Sequence, residues 1–556
     1  MTNSLQSLEN AAELGLRGEY GAARKIYWEL LQTDLSIKTR SRIQNDLSAI
    51  AAVQGHSYSA LLHASRIEET NTNSSLFAHN RSQLAKIDNP ARLVHSDSRN
   101  QNQISSEFAQ DTKKLTVRST DGEQVKVAIL SLLFNWPSTG GGTVHTKELA
   151  DFLERDGYQV QHIYAVNESF GVGSVTQELG YSATPLHFDD IQWNEATIRQ
   201  RFQAATDEFS PDWVIVTDSW NTKPLLAEAV RDYPYFLRIA AQECLCPLNN
   251  VRMLFGQSTR EDGLAPIGGL PPVVQCDENQ LESPQTCRDC AIQNSHLSGG
   301  LHKAERLLAG FNGEEYPHRL QQVFAQAEGV LAVNPSIAQL IAPHTSAVHV
   351  VPSGFDALRF PLTYQSAPPS ENRKLRILFA GLREELMKGF HVLQAATDRL
   401  WQHRKDFEVW VTGDPYETDP EYFRCIGWQT QQQLTETMVA SDFLVFPTVA
   451  QEALGRSAVE AMGCGRGVIA SRLGGLEWVI EHEKTGLLFE PGDIDDLCLQ
   501  LQRLLDDANF REKLGRAGHQ KFREEFRWEV ILGRSYRKFL GPAMKQEVLD
   551  LIGASA

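Results

Sequence analysis

The sequence has no run near the ~18 apolar residues that a membrane-spanning helix needs, so no transmembrane segment is expected. Cysteine is scarce, 8 in 556 residues, which excludes a disulfide-built scaffold. Basic residues are in deficit: 53 Lys and Arg stand against 70 Asp and Glu, for a formal net charge of −17. A surface that tracks nucleic acid needs a basic excess, so no nucleic-acid partner is expected. Net charge says nothing about one pocket, and a local site for a small phosphate stays open. The first twenty residues carry Glu9 and Glu13 and lack an apolar h-region, so they do not read as a secretory leader. The expectation is a cytoplasmic protein, or one peripheral at the membrane.

What is present is ordinary globular composition, with 42% hydrophobic and 22% charged residues. Residues 1–70 recur in apolar steps of three and four, as in Leu14, Tyr20, Ala23, Tyr27 and Leu30. Gly18 and Gly55 turn two such stretches at close to the ~34-residue tetratricopeptide period. A plain helical cap fits equally well. A protein partner recruited through 1–70 is the corresponding expectation. Residues 71–124 are rich in Asn, Gln and Ser and poor in aliphatics, and read as a polar linker.

From Val125 the pattern becomes α/β. Apolar strands VKVAILSLLF (125–134), DWVIVTDS (212–219) and GVLAVNPS (329–336) alternate with helical segments. After a proline-containing break a second series follows: RILFAG (376–381), FEVWVTGD (407–414), DFLVFPT (442–448) and GVIAS (467–471). Such alternation predicts two doubly wound parallel sheets. The predicted boundaries are 125–360 for a first Rossmann-like domain, 361–525 for a second, and 526–556 for a final amphipathic helix and tail.

Three segments carry candidate chemistry. The triple glycine Gly140-Gly141-Gly142 opens a helix after the first strand, where bare N–H groups can meet an anion or sugar oxygens. A merely tight turn reads the same way. PTVAQEALGRSAVEAMGCGRGVIAS (447–471) sets Glu452 and Glu460 in a Glu-x7-Glu layout around Gly455, at the carboxyl end of a strand where open α/β sheets bind ligands. Ser457-x-x-Glu460 fits a capping box equally well. AGLREELMKGF (380–390) puts Arg383 and Lys388 before a helix, a place that suits cations when an anion sits among them.

Together these segments resemble the GT-B glycosyltransferases of the retaining group 1, family 4 type. VPSGFD (351–356), IGWQTQQQL (426–434) and LGGLEWVIEHEKTGLLFEPGD (473–493) are similar to further family motifs. The resemblance implies a retaining transfer of sugar from a nucleotide-diphosphate sugar to an acceptor, which could be a saccharide, a lipid-linked saccharide or a protein. Lys388 and Arg383 would neutralise the departing diphosphate, and Glu452, with the backbone of Ala453, Leu454 and Gly455, would lie against the donor. Glu460 would hold the ribose and the Ile426–Trp428 loop the base. Gly141 and Gly142 would face the diphosphate and acceptor. No cofactor is required for such chemistry, because leaving-group charge is met electrostatically. The final helix would cross back to the first domain.

The sequence departs from the family at two places. Leu382 separates Gly381 from Arg383, and Gln242-Glu243 stand where many relatives carry a His. Arg238, Glu243 and His145 are the candidates to replace that His. Rival readings are a degenerate GT-B module that binds without turnover, an epimerase acting on a UDP-sugar, and a pyridoxal-phosphate phosphorylase. Cys246, Cys276, Cys287 and Cys290 include a CxxC that suits a structural zinc. Cys244 is an alternative to Cys246. Free thiols and disulfides are the other readings of these cysteines.

Overall fold

The computed structural model describes residues 124–543 apart from 139, 218, 220, 248–251, 255–273, 277, 294–304, 306–307, 309–314, 370–372 and 384, together with scattered positions between Ser7 and Leu30. The helical-repeat reading of 1–70 and the linker reading of 71–124 therefore lie outside the described residues, save those scattered positions and Gln124.

The first sheet holds β1 (Lys126–Ser131), β2 (Gln159–Val166), β3 (Ala183–His187), β4 (Trp213–Thr217), β5 (Tyr235–Ile239), β8 (Gly329–Ala332) and β9 (Val348–Val350). Their order is β3-β2-β1-β4-β5-β8-β9, and every pairing is parallel. A short antiparallel ribbon, β6 (Met253–Leu254) with β7 (Val274–Gln275), stands apart. The central strands are buried along their whole length because helices cover both faces. Those helices include α1 (Gly141–Arg155), α2 (Glu195–Phe209), α3 (Lys223–Ala229), α4 (Pro284–Gln293), α5 (Tyr316–Gln326) and α6 (Pro335–Ile341). Asn194 and Asn334 cap α2 and α6, each accepting from a first-turn N–H.

The second sheet holds β10 (Leu375–Phe379), β11 (Phe407–Val411), β12 (Phe423–Cys425), β13 (Phe443–Phe446), β14 (Gly467–Ser471) and β15 (Leu487–Phe489), in the order β12-β11-β10-β13-β14-β15. It too is wholly parallel. Around it pack α7 (Phe390–Trp401), α8 (Gln431–Ala440), α9 (Arg456–Gly463), α10 (Leu476–Val479), α11 (Ile494–Asp506) and α12 (Ala508–Lys521).

The chain then returns to the first domain. The last segment, expected as one amphipathic helix, runs instead through π turns at Phe522–Phe526 and Leu532–Tyr536, with short helices α13 (Trp528–Ile531) and α14 (Arg537–Leu540). Trp528, Ile531, Tyr536 and Phe539 share a core with Val127, Leu149, Phe152 and Phe236 of the first domain. Trp528 is fully buried and stacks on His145 and Phe152 at 5.2 and 5.5 Å. A side chain of that size withdraws roughly 150–250 Å² from water. Gly354 makes room for it, since a Cβ there would lie 2.3 Å from the indole. Trp528 N donates to Phe355 O (3.1 Å) and Phe355 N to Phe526 O (2.9 Å), closing the hinge between the domains.

Candidate functional site

The carboxyl ends of both sheets face one interdomain cleft. From the first sheet, Gly140 is the N-cap of α1 and no side chain caps that helix end. A Cβ on Gly141 would lie 3.2 Å from Arg456 Cδ of the opposite domain, and one on Gly142 would lie 3.8 Å from Ala240 Cβ. The triple-glycine turn thus packs between the post-β5 loop and the start of α9, with its closest approach at Gly141. From the second sheet, Gly455 is the N-cap of α9 in a left-handed conformation (φ +76°), again with no side-chain cap. Two helix N-termini with bare N–H groups therefore meet across the cleft, an arrangement favourable to an anion.

The capping-box reading of Ser457 and Glu460 fails. Gly455 starts the helix, so Ser457 lies inside it, with Oγ 3.5 Å from Ala380 O.

Lys388 ends a 3₁₀ turn and is followed by Gly389, whose φ of +69° and 1.7 Å approach of its Cβ position to Pro447 O admit no side chain. Val449 N (2.9 Å) and Thr448 Oγ1 (2.8 Å) both donate to Met387 O, pinning this turn to the β13–α9 loop. The result is a half-buried pair, Lys388 Nζ to Glu452 Oε2 at 3.4 Å. The charge of Glu452 holds the Lys388 ammonium above the ordinary lysine range, against the opposing effect of burial. Behind Glu452, Gly475 N donates to Glu452 O (2.8 Å) and Asn334 Nδ2 of the first domain donates to Ala453 O (2.6 Å). Leu454 is buried.

Arg383 is placed differently. It is buried, and its guanidinium forks onto Asp419, with Nη1 to Oδ2 at 3.0 Å and Nη2 on the other oxygen. It also lies 3.8 Å from the Tyr416 ring centroid. Burial acts to lower its pKa, yet the net direction is upward because of Asp419. Sequence spacing gave no sign of that partner, which lies beyond β11.

Glu460 is buried, with Oε1 3.4 Å from Arg359 Nη2. Arg359 Nη1 is 3.5 Å from Glu148 Oε1 of α1, and Glu148 Oε2 takes Arg456 Nη2 and Trp528 Nε1, each at 3.2 Å. This charge network joins both domains and the returning segment. Glu148, Arg359 and Arg456 carry no motif signal, so sequence reasoning missed them. Trp428 sits on the loop after β12 and is 52% exposed. Its neighbour Gly427 turns with φ +69°.

Of the three cysteine readings, free thiols is the one the structure fits. No disulfide links any of the eight, and among the described residues no group of three or more His, Cys, Asp or Glu is arranged to hold a metal ion. The Cys287 thiol is pushed up to about 12, by burial first and then by Cys246, Cys276, Glu278 and Cys290 around it. The four thiols share a neighbourhood without forming a ligand set, so the zinc reading gains no support.

No helix among the described residues is long and apolar enough to cross a membrane.

Two doubly wound domains facing across a cleft, with a C-terminal segment returning to the first, define the GT-B class of fold. A sucrose-phosphate synthase from Thermosynechococcus elongatus shares it, with a TM-score of 0.52 at 17% identity over 75% of this chain and 99% of that one. Residues 374–507 match the family described as glycosyl transferases group 1, and the second domain is a domain of that type. Among curated relatives, a glycogen synthase of Mycobacterium tuberculosis is 24% identical over 220 residues, 38% of this chain and 52% of the relative. A sulfoquinovosyl transferase of Arabidopsis thaliana is 32% identical over 154 residues, 26% of this chain and 29% of the relative. A 2-deoxystreptamine glucosyltransferase of Streptomyces kanamyceticus is 31% identical over 230 residues, 36% of this chain and 57% of the relative. The chain thus spans less than two thirds of the length of each of these three relatives.

Proposed function

We propose that this chain is a retaining glycosyltransferase that moves a sugar from a nucleotide-diphosphate sugar to an acceptor in glycan or glycoconjugate synthesis. The observation that carries the reading is the Lys388–Glu452 pair at 3.4 Å, set beside two uncapped helix N-termini. The names of the relatives, all sugar-transferring or glycan-building enzymes, support it.

In this reading the diphosphate lies between the N-termini of α9 and α1, with Lys388 against it. Glu452 and the backbone of Ala453, Leu454 and Gly455 line the donor side. Glu460 offers its second oxygen to the ribose while Arg359 holds the first. Trp428 presents a ring to the base. When the bond from the anomeric carbon to the phosphate oxygen breaks, the electron pair leaves with the diphosphate. The ammonium and the helix N–H groups stabilise the growing charge. The acceptor hydroxyl bonds to the anomeric carbon as its proton passes to the departing diphosphate oxygen, and charge stabilisation of this kind needs no resident cofactor. Residues 1–70 serve to recruit a partner or the acceptor.

A thermal-shift screen against UDP-, GDP-, ADP- and dTDP-sugars tests the reading. A ligand held only by the folded state adds about 2.7 kcal/mol at a hundred times its Kd, so the true donor class raises Tm. Binding without turnover would favour a degenerate sugar-nucleotide-binding module, and no shift with any of them contradicts the reading.

A further inference from the structure

Asn334 stands at the carboxyl end of β8, between that strand and α6, and is buried. Its carboxamide is divided between the two domains. Oδ1 accepts from Ile337 N at 2.9 Å and so caps α6 of the first domain. That leaves the amide nitrogen to face outward, and Nδ2 donates to Ala453 O of the second domain at 2.6 Å. The cap already fixes the side chain, so little freedom is lost when the second contact forms.

Ala453 O is one of two consecutive carbonyls held in this way. The preceding one, Glu452 O, accepts from Gly475 N at 2.8 Å, a contact within the second domain. A Cβ on Gly475 would lie 2.0 Å from Ala453 O and 3.1 Å from Asn334 Nδ2, so a side chain there would wedge the contact apart. In a planar trans peptide the next N–H points opposite to the carbonyl. Holding Glu452 O and Ala453 O therefore turns the N–H groups of Ala453 and Leu454 away from Gly475 and Asn334. In the donor reading those groups belong to the backbone that lines the donor.

The other polar candidates of the first domain are engaged elsewhere. Gln242 Nε2 donates to the side chain of Gln451, at 3.2 Å, which can rotate without moving the loop. Arg238 donates to Leu331 O (3.1 Å) and Val351 O (2.5 Å), Glu243 accepts from Ala240 N and Ala241 N of its own loop, and His145 stacks on Trp528.

We propose that Asn334 is a positioning residue for the transfer. Closing the cleft brings its amide onto Ala453 O, and that hydrogen bond sets the Glu452–Gly455 backbone in register with the donor. The proposal rests on the donor reading of the cleft. A donor loop held from the opposite domain is aligned only in the closed state, which ties turnover to closure.

The test uses the full chain and the variants Asn334→Ser, Asn334→Asp and Asn334→Ala. Serine and aspartate keep an N-cap acceptor but lose the donation to Ala453 O: the serine hydroxyl stops short of it, and a carboxylate has no proton to give. Alanine loses both contacts. Calorimetry measures Kd for UDP, GDP, ADP and dTDP. Release of the diphosphate from UDP-glucose, UDP-N-acetylglucosamine, GDP-mannose, ADP-glucose and dTDP-glucose measures turnover, with water or an added oligosaccharide as acceptor. For the best wild-type ligand, Asn334→Ser and Asn334→Asp are expected to keep the wild-type Tm, to bind the free diphosphate within about twofold, and to lose about three- to tenfold in kcat. Asn334→Ala should show the same kcat loss with a lowered Tm, because its cap is gone. Wild-type kcat in a folded Ser or Asp variant, or a kcat loss matched by an equal loss of diphosphate affinity, overturns the role of Asn334 and leaves the donor reading standing. Wild type that binds a sugar nucleotide without turning it over does the same. Failure of wild type to bind any of them overturns the donor reading, and the role of Asn334 with it.

Discussion

Arg359, from the segment between the two sheets, holds Glu460 of α9 with its Nη2 3.4 Å from the carboxylate oxygen. The same guanidinium reaches Glu148 of α1 at 3.5 Å, so one cation contacts two buried acids from opposite domains. Replacing it takes the cation from Glu460, whereas Glu148 keeps Arg456 and Trp528. Arg359→Gln should lower stability by roughly 1–3 kcal/mol, less than the ~3–5 for a fully buried pair because Arg359 keeps some exposure. The donor KM should rise as Glu460 loses its anchor. Chemical denaturation and initial-rate kinetics read the two effects separately, and an unchanged KM in a folded variant contradicts the positioning role.

Two glycines with the same φ of +69° differ sharply in surroundings. A Cβ at Gly389 meets Pro447 O at 1.7 Å, whereas one at Gly427 meets nothing within 4 Å. Gly427→Ala should cost about 1 kcal/mol from backbone conformation alone. Gly389→Ala should cost on the order of 3 kcal/mol or more and displace the Lys388 turn. Equal melting temperatures for the two variants would contradict the packing described.

Trp428 is half exposed, so Trp428→Ala should leave stability within about 0.5 kcal/mol. If its ring meets the base, donor affinity should fall by about 1–3 kcal/mol, the usual value of a base–aromatic stack. The loss should appear equally with the free nucleoside diphosphate.

Acid should weaken the fold through His162. Burial depresses its pKa from 6.5 to about 3, while its ring meets Ser131 Oγ at 2.9 Å and Tyr181 Oη at 3.2 Å. Below pH 6.5 the unfolded chain takes a proton that the folded one refuses, so this contribution to stability falls as pH drops through the window from 6.5 to about 3. At about 1.4 kcal/mol per pH unit, roughly 2 kcal/mol is lost by pH 5. His162→Gln should flatten that acid limb in denaturation measured between pH 7 and 5.

Both domains were legible in the sequence wherever strands are long, apolar and covered on two faces. Gly467–Ser471 coincides residue for residue with the expected GVIAS strand. The three-residue strands Phe423–Cys425 and Leu487–Phe489 are too short to show a period. In the site, the Lys388 and Glu452 motifs lie far apart in the chain yet meet in space. Arg383 shows the limit of spacing: its partner Asp419 is fixed by tertiary packing rather than by any local pattern. The Ser457–Glu460 box was a true local pattern overridden by the left-handed Gly455. Gln242, which donates to Gln451 Oε1 at 3.2 Å, and Arg359 acquire their partners only through tertiary packing, where no single segment of sequence holds the information.

The most direct test of the account is the transfer rate of Lys388→Ala, measured with whichever nucleotide sugar stabilises the wild type. Removing a preorganised charge from the leaving group should lower the rate about 10²–10³-fold, with the fold intact by circular dichroism and melting temperature. A folded Lys388→Ala protein that transfers sugar at the wild-type rate would contradict the diphosphate role on which the reading stands.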